Sequence, residues 1–506
     1  MKVKKFISVF LVVALVVSML VGCGISNNSD SLATSMNDSG DADTKKDVVS
    51  LRLVIFGDST QRTVEFFENE FHDRILEELN IDLTVDEYSW GEYSQLAIMF
   101  AGGERFAAMG IYDPVAAAKG YYATIDEEMV NALAPNYLEM RETNGFEVAK
   151  YNGEIVTLPM GNKSYAGRAQ FFLAREDILN EVGFKGSEIA TYDQLMEAVA
   201  AVHAKYPEMR ILGMENSCFL MDTLASTVSD ELITSFKGNH PVYVYANELD
   251  DDDKIYSRFE SEAFKNACEI AEEWQKLGYL NADQVSEPDA WRADWSVGNC
   301  LLRDGHPNSL VETQDVLVNV PGAELSLINV TGMPLRKNMN YDQSLTISKA
   351  DEDNVGRWLE LIDWLYSDNE HYNFAINGIE GKDYEVENNR RVSLSGTEFV
   401  PGWWLESTDR HLYPEFVTDE VLNAYSHNDD NAVTTKMLGF TFDMTPVSSE
   451  FTSMEGVYKE YFVPMAYGLL NYEENYEEAI AKLKEAGLDT YMAEFQRQFS
   501  EWYSAQ

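Results

Sequence analysis

The 506-residue chain carries 86 acidic and 38 basic side chains, with 45% hydrophobic and 12% aromatic residues. A formal charge of −48 repels polyanions, which excludes nucleic acid as a partner and favours a body standing off anionic lipid head groups. The length exceeds what one hydrophobic core supports, so two lobes are expected, and four cysteines are too few for a disulfide framework.

Lys2, Lys4 and Lys5 precede an apolar run from Phe6 to Val21 that ends in Leu20-Val21-Gly22-Cys23 and passes at once into polar sequence. A cationic start, a greasy core too short for a comfortable span, small residues at the cleavage point and a cysteine able to take lipid read together as a bacterial lipoprotein signal peptide over 1–22. Cys23 is then the lipidation site, its palmitate-type acyl chains forming a membrane anchor on the extracellular face of the cell membrane. Residues 23–48 are rich in Ser, Asn, Asp and Gly, cannot bury enough surface to order themselves, and read as a flexible tether.

The first predicted strand is Leu51–Phe56, followed by Gly57-Asp58-Ser59-Thr60 and a helical pattern through Phe66, Phe67, Phe71, Ile75 and Leu79. A second strand runs Ile81–Tyr88. The order strand, helix, strand is a βαβ unit, and near-continuous apolar strands point to a parallel sheet covered on both faces. Further extended segments are expected at Ile155–Pro159, Ala169–Leu173 and Leu345–Ile347. Thr191-Tyr192-Asp193-Gln194 has the spacing of a capping box ahead of Leu195, Val199 and Val202. Cys268 shares a helical face with Phe264, Ala271 and Trp274, and Val355, Trp358, Leu359, Ile362 and Leu365 form another apolar stripe. Gly278 and Gly487 stand where a C′ glycine ends a helix, and Tyr491, Phe495, Phe499 and Trp502 line one face of the last one. The acidic run at 250–253 reads as a solvated loop.

Motifs for covalent or metal chemistry are missing: no GxSxG, HExxH, GxxxxGK[ST] or strand-borne GxGxxG occurs. The seven histidines are scattered singly, and Cys218, Cys268 and Cys300 have no CxxC spacing. No catalytic residues, metal or cofactor are therefore expected, and no enzyme activity. Carboxylate pairs close in sequence say nothing among 86 acidic residues, so a glycosidase stays open on that count alone. The nine tryptophans and 27 tyrosines are more telling, because several sit in loop contexts beside Asp, Gly and Pro. Such rings stack on the C–H face of a sugar while neighbouring polar groups bond its hydroxyls. The candidate ligand-binding residues are Trp90, Tyr112, Asp113, Trp291, Trp295, Trp403 and Trp404, with Asp58, Tyr165 and Arg168 as polar candidates near lobe crossovers. Trp274, Trp358, Trp364 and Trp502 keep helical spacing with apolar residues and are assigned to the core.

Six segments then resemble one family, in its order along the chain: Met99-Phe100-Ala101-Gly102-Gly103-Glu104, Tyr151-Asn152-Gly153-Glu154-Ile155-Val156-Thr157-Leu158-Pro159, the stretch Ala174–Gly183, the helix start at Thr191, Asn377-Gly378-Ile379-Glu380-Gly381-Lys382-Asp383-Tyr384, and the tail from Leu483 through Gln498. With the lipobox before them, these resemble the long, family 1-like extracellular solute-binding lipoproteins of sugar-type ABC importers in Gram-positive bacteria. The resemblance implies an α/β, two-lobe periplasmic-binding-protein-like fold (type II), with the ligand cleft between lobes joined by hinge crossovers. It implies lobe 1 over 49–163 and 341–395, and lobe 2 over 164–340 and 396–506. It also implies capture of an oligosaccharide or other polar small molecule by a monomer that delivers it to ABC permease subunits. A surface sensor or adhesin without transport, and a surface glycoside hydrolase, are the alternatives. Some members carry a calcium loop after the helix that here ends near Lys205; Tyr206-Pro207-Glu208-Met209-Arg210 lacks the clustered oxygens, so no calcium is expected there.

Overall fold

The computed structural model describes residues 47–505 except 58–59, 111, 142–148, 162–170, 214–232, 236–243, 248–251, 288–289, 306, 312–313, 331–335, 338–343, 395–398, 400–404, 406, 408, 428–429, 431–432, 437–439 and 441. The signal peptide, Cys23 and all of the tether but its last two residues lie outside the described residues.

The first sheet starts as expected. Val49–Phe56 pairs in parallel with Ile81–Tyr88 over eight residues, from Val49 against Ile81 to Phe56 against Tyr88. The helix between them starts at Thr60, whose Oγ1 accepts from the Thr63 amide at 3.1 Å, and ends where Asn80 takes φ 52°. One stretch of it, Phe67–Phe71, is wound as a π-helix that turns Phe67 and Phe71 inward beside Phe66. Ala107–Gly110 adds to the other side of the first strand, also in parallel. Ser344–Ile347 then runs antiparallel to it, and Leu158–Pro159 closes the sheet antiparallel to that strand. The sheet is thus mixed rather than purely parallel, because its last two strands come from segments that cross between the halves. Alternation along the strands splits their side chains: Leu53, Ile55, Ala107 and Met109 enter one apolar cluster, while Val54, Phe56 and Ala108 enter another on the opposite face.

The second sheet has the order Leu325–Ile328, Phe171–Arg175, Cys300–Gly305, Arg210–Gly213. Only its last pair is parallel. One face packs Phe172, Ala174, Leu212, Leu302 and Ile328 against a large core completed by Tyr491, Phe495 and Phe499 of the last helix. The other face carries a smaller cluster of Leu173, Trp291, Trp295, Cys300 and Val316. The capping box forms, with the Thr191 side chain and Gln194 satisfying each other's amides. Gly278 ends the Glu262–Leu277 helix at φ 79°, and Gly487, at φ 118°, follows one helix and starts the next. Cys268, Phe264, Ala271 and Trp274 are all buried on one face of the former helix.

The cores place the division of the chain. Val355, Trp358, Leu359, Ile362 and Leu365 fill the first core with the residues of the first sheet. Phe399 and Leu405 pack there too, and the Tyr372 hydroxyl donates to the Leu405 carbonyl at 3.2 Å. The first half therefore extends past 395, where the sequence reading divides the chain, because aromatic packing around Tyr372 and Phe66 holds that stretch.

Candidate functional site

Strand direction fixes where a ligand can sit. In the first sheet the carboxyl ends of the parallel strands, at Phe56, Tyr88 and Gly110, lie on the same edge as Ser344, which pairs with both Gly110 and Pro159. In the second sheet Gly305 pairs with Phe171, and Arg303 with Gly213. The chain leaves the first edge after Pro159 and enters the second at Phe171; it leaves the second after Ile328 and re-enters the first at Ser344. Both crossings join these two edges, and open α/β sheets take ligands at such carboxyl ends. The first exit is held firmly: Tyr137, Tyr366 and Arg141 donate to the successive carbonyls of Pro159, Met160 and Gly161, at 2.8 Å for Tyr137 and 2.7 Å for Arg141.

The first edge is made of rings. Tyr93 lies 4.6 Å from Phe56 between centroids, and Tyr88 lies 6.2 Å from it. Both rings pack beside Gly110, where a Cβ would stand at ordinary contact distance, 3.4 Å from the Tyr93 hydroxyl and 3.7 Å from the Phe56 ring. Behind them Tyr112 and Tyr122 stand 6.1 Å apart, and the Asp113 amide donates to the Tyr122 hydroxyl at 3.3 Å. Burial, reinforced by the Asp113 charge, drives the Tyr122 hydroxyl well above its ordinary pKa, so it stays a neutral acceptor and donor.

The second edge is built differently. Trp291 and Trp295, one turn apart on the Ala290–Ser296 helix, are 1% and 3% exposed. Gly213 leaves room for the first of them, since a Cβ would sit 2.7 Å from the indole. Over both rings lies Arg303, its Cζ 5.1 Å from the Trp291 centroid and 5.8 Å from that of Trp295. Arg303 Nε donates to the Asp304 carbonyl at 3.1 Å, and Nη1 donates to Gln314 Oε1 at 3.2 Å.

Of the residues singled out in the sequence, the structure brings Tyr112 and Asp113 to the first edge and Trp291 and Trp295 to the second, with Tyr112 and both tryptophans buried. Trp90 opens the short Trp90–Glu92 turn that follows the Ile81–Tyr88 strand, a turn closed by the Ser89 amide and hydroxyl donating to Glu92 at 3.1 and 2.8 Å. Asp58, Tyr165, Arg168, Trp403 and Trp404 lie outside the described residues. Tyr93 and Arg303 were not singled out. A signal for Arg303 exists, in a charge pair that ends an apolar run just before a glycine, Leu301-Leu302-Arg303-Asp304-Gly305.

Among the described residues one group could approach a metal, Asp368, Glu370 and His371. It is already engaged, for Arg74 holds Glu370 through two bonds of 2.6 and 2.9 Å, and His371 faces Ser367 and Glu78. At the end of the Tyr192–Lys205 helix, Lys205 and Tyr206 both turn to Glu181. Burial raises the Cys268 thiol and pushes that of Cys300 up to about 12, so both stay protonated and inert. No helix among the described residues is long and apolar enough to cross a membrane.

The sequence model of a domain of unknown function (DUF3502) matches residues 436–504, the stretch of the closing helices. No curated protein shows significant sequence similarity to the chain. Solved structures do resemble it. The N-glycan transport solute-binding protein NgtS from Streptococcus pneumoniae is 19% identical, with a TM-score of 0.75 over 90% of this chain and 99% of its own. The alginate-binding protein AlgQ2 is 15% identical, with a TM-score of 0.62 over 90% and 98%. An HMO-binding ABC-transporter-associated solute-binding protein from Bifidobacterium longum infantis is 15% identical, with a TM-score of 0.59 over 91% and 99%. The chain has the two-lobed α/β fold of solute-binding proteins.

Proposed function

We propose that this chain is the lipid-anchored substrate-binding protein of an ABC importer, and that it captures an oligosaccharide without altering its bonds. The observation that carries the reading is the pair of sheet edges joined by both chain crossings, one carrying the half-buried Tyr88 and Tyr93 rings beside Phe56 and the other a guanidinium. Ring faces and fixed donors are what a sugar's C–H faces and hydroxyls require. The fold supports the same reading, since it is shared along nearly the full length with proteins named for N-glycan transport and alginate binding. Closure of the two halves on the ligand would present the loaded form to permease subunits. Cys23 would tether the body to the outer face of the membrane.

The test has three arms. Calorimetry of the mature chain against a panel of plant and host glycans should find a ligand that is recovered intact afterwards; conversion to shorter products would make the protein a glycoside hydrolase. A deletion strain should lose uptake of that ligand; binding with unimpaired uptake would make it a surface sensor or adhesin. Radiolabelled palmitate should enter the native chain and be absent from a Cys23→Ala variant.

A further inference from the structure

Arginines in this acidic chain mostly end on carboxylates. Arg62 meets Asp383 at 2.7 and 2.8 Å, Arg74 meets Glu370 at 2.6 and 2.9 Å, and Arg210 meets Asp283 at 3.1 and 2.7 Å. Arg303 does not. Its polar partners are a backbone carbonyl and the Gln314 carboxamide, and its Nη2 makes no hydrogen bond among the described residues. The nearest carboxylate oxygen, Asp304 Oδ1, stands 3.8 Å from Nε, too far for a hydrogen bond. What surrounds the cation instead is two indole faces.

This arrangement orients the guanidinium, offsets part of its charge with Asp304 at 3.8 Å, and leaves Nη2 without a hydrogen bond among the described residues. Gln314 is 8% exposed and its Nε2 donates to the Ser309 carbonyl at 3.2 Å, which turns its oxygen toward Arg303. Indole faces attract a cation but carry no net charge, so beside the longer Asp304 contact the Nη2 donor stays available. The Arg303 side chain remains 16% exposed, at the carboxyl end of the Cys300–Gly305 strand, opposite Leu173 and one step from the crossing into Phe171. A planar fork with free donors fits a planar pair of oxygens best, and a carboxylate binds it more strongly than a neutral diol does.

We propose that Arg303 is the specificity-determining residue of the cleft and that it binds the carboxylate of an acidic sugar, a uronate or sialate unit of the captured glycan. This rests on the oligosaccharide-binding reading above. The experiment measures affinity of the mature chain for an acidic oligosaccharide and for its carboxyl-reduced counterpart, at low and high salt, for the parent, Arg303→Gln and Arg303→Lys. The parent should prefer the acidic form by about tenfold or more, the scale of one charge-assisted hydrogen bond, and the preference should shrink with salt. Arg303→Gln should lose the acidic ligand about tenfold more than the reduced one, while Arg303→Lys, with charge but no fork, should recover only part of the preference. Equal affinity of the parent for both forms, or a preference that survives Arg303→Gln in a variant with parental melting, overturns the proposal while leaving sugar binding intact. A parent that binds neither form overturns both readings.

Discussion

The two halves carry different chemistry at the sheet edges that the chain crossings join. On the first edge half-buried Tyr88 and Tyr93 rings pack against the buried Phe56, with Tyr93 also beside Gly110. On the second the indoles of Trp291 and Trp295 are inside the wall, and a cation rides on them. Aromatic content is therefore arranged in two ways, as half-buried rings on one edge and as packing beneath a cation on the other. The two halves also have separate main cores, one around Trp358 and Phe66 and the other around Trp274 and Phe495. Damage to either should stay in its own half.

The sharpest way to break this picture is Trp291→Ala. Emptying a site that is 1% exposed should cost about 4 kcal/mol, which lowers the melting of the second half by roughly 10 °C in calorimetry while the first half melts as before. A variant that melts like the parent would mean that the indole is not part of the wall. The counterpart in the first half is Arg62→Met. The Asp383 side chain has no exposure and takes both arms of Arg62, along with the Ile379 amide at 2.9 Å. Removing the cation strands a buried carboxylate at a cost of about 3 kcal/mol. The first transition should fall and the second should stay. Movement of both transitions together in either variant would show that the halves unfold as one unit.

Much of the fold was legible in the sequence because it is written locally. The Val49–Phe56 and Ile81–Tyr88 strands, the Thr191 capping box and the apolar stripe at Val355–Leu365 each announce themselves within a dozen residues. The mixed order of the first sheet was not legible, since Ser344–Ile347 reaches it only after a passage through the other half. The site divides in the same way. Trp291 and Trp295 are four residues apart, a spacing that puts both on one helical face and fits a buried stripe as well as a binding platform; only the partner strand, with Gly213 beneath the ring, decides between them. Arg303 and Tyr93 escape because their value depends on which strand ends meet, and that is a long-range property.

A pH scan sharpens the comparison further. His411 lies between Tyr372 and Tyr413, with ring centroids 6.2 and 4.6 Å away. Its burial, with the nearby Arg391 charge second, lowers its pKa from 6.5 to about 4. The folded first half thus keeps this ring neutral while the unfolded chain takes up a proton, so its contribution is full above pH 6.5 and is lost as the pH falls toward 4. The expected loss is about 3 kcal/mol, seen as a drop in the first transition alone. His411→Gln should flatten that drop, and an unchanged slope would remove His411 as its cause.

The smallest expected effect addresses the first edge directly. Tyr93 is only half-buried and contributes to the rim more than to the core, so Tyr93→Ala should leave melting nearly unchanged. It should weaken glycan binding by about 1–2 kcal/mol, as the loss of one aromatic contact does. Tyr93→Phe separates the two parts of the side chain: the ring is retained and the hydroxyl is not, so affinity should return if stacking dominates. Unchanged calorimetric affinity in Tyr93→Ala, with the fold intact, would mean that the ring-lined edge does not touch the sugar. Recognition would then fall to the edge that carries Arg303.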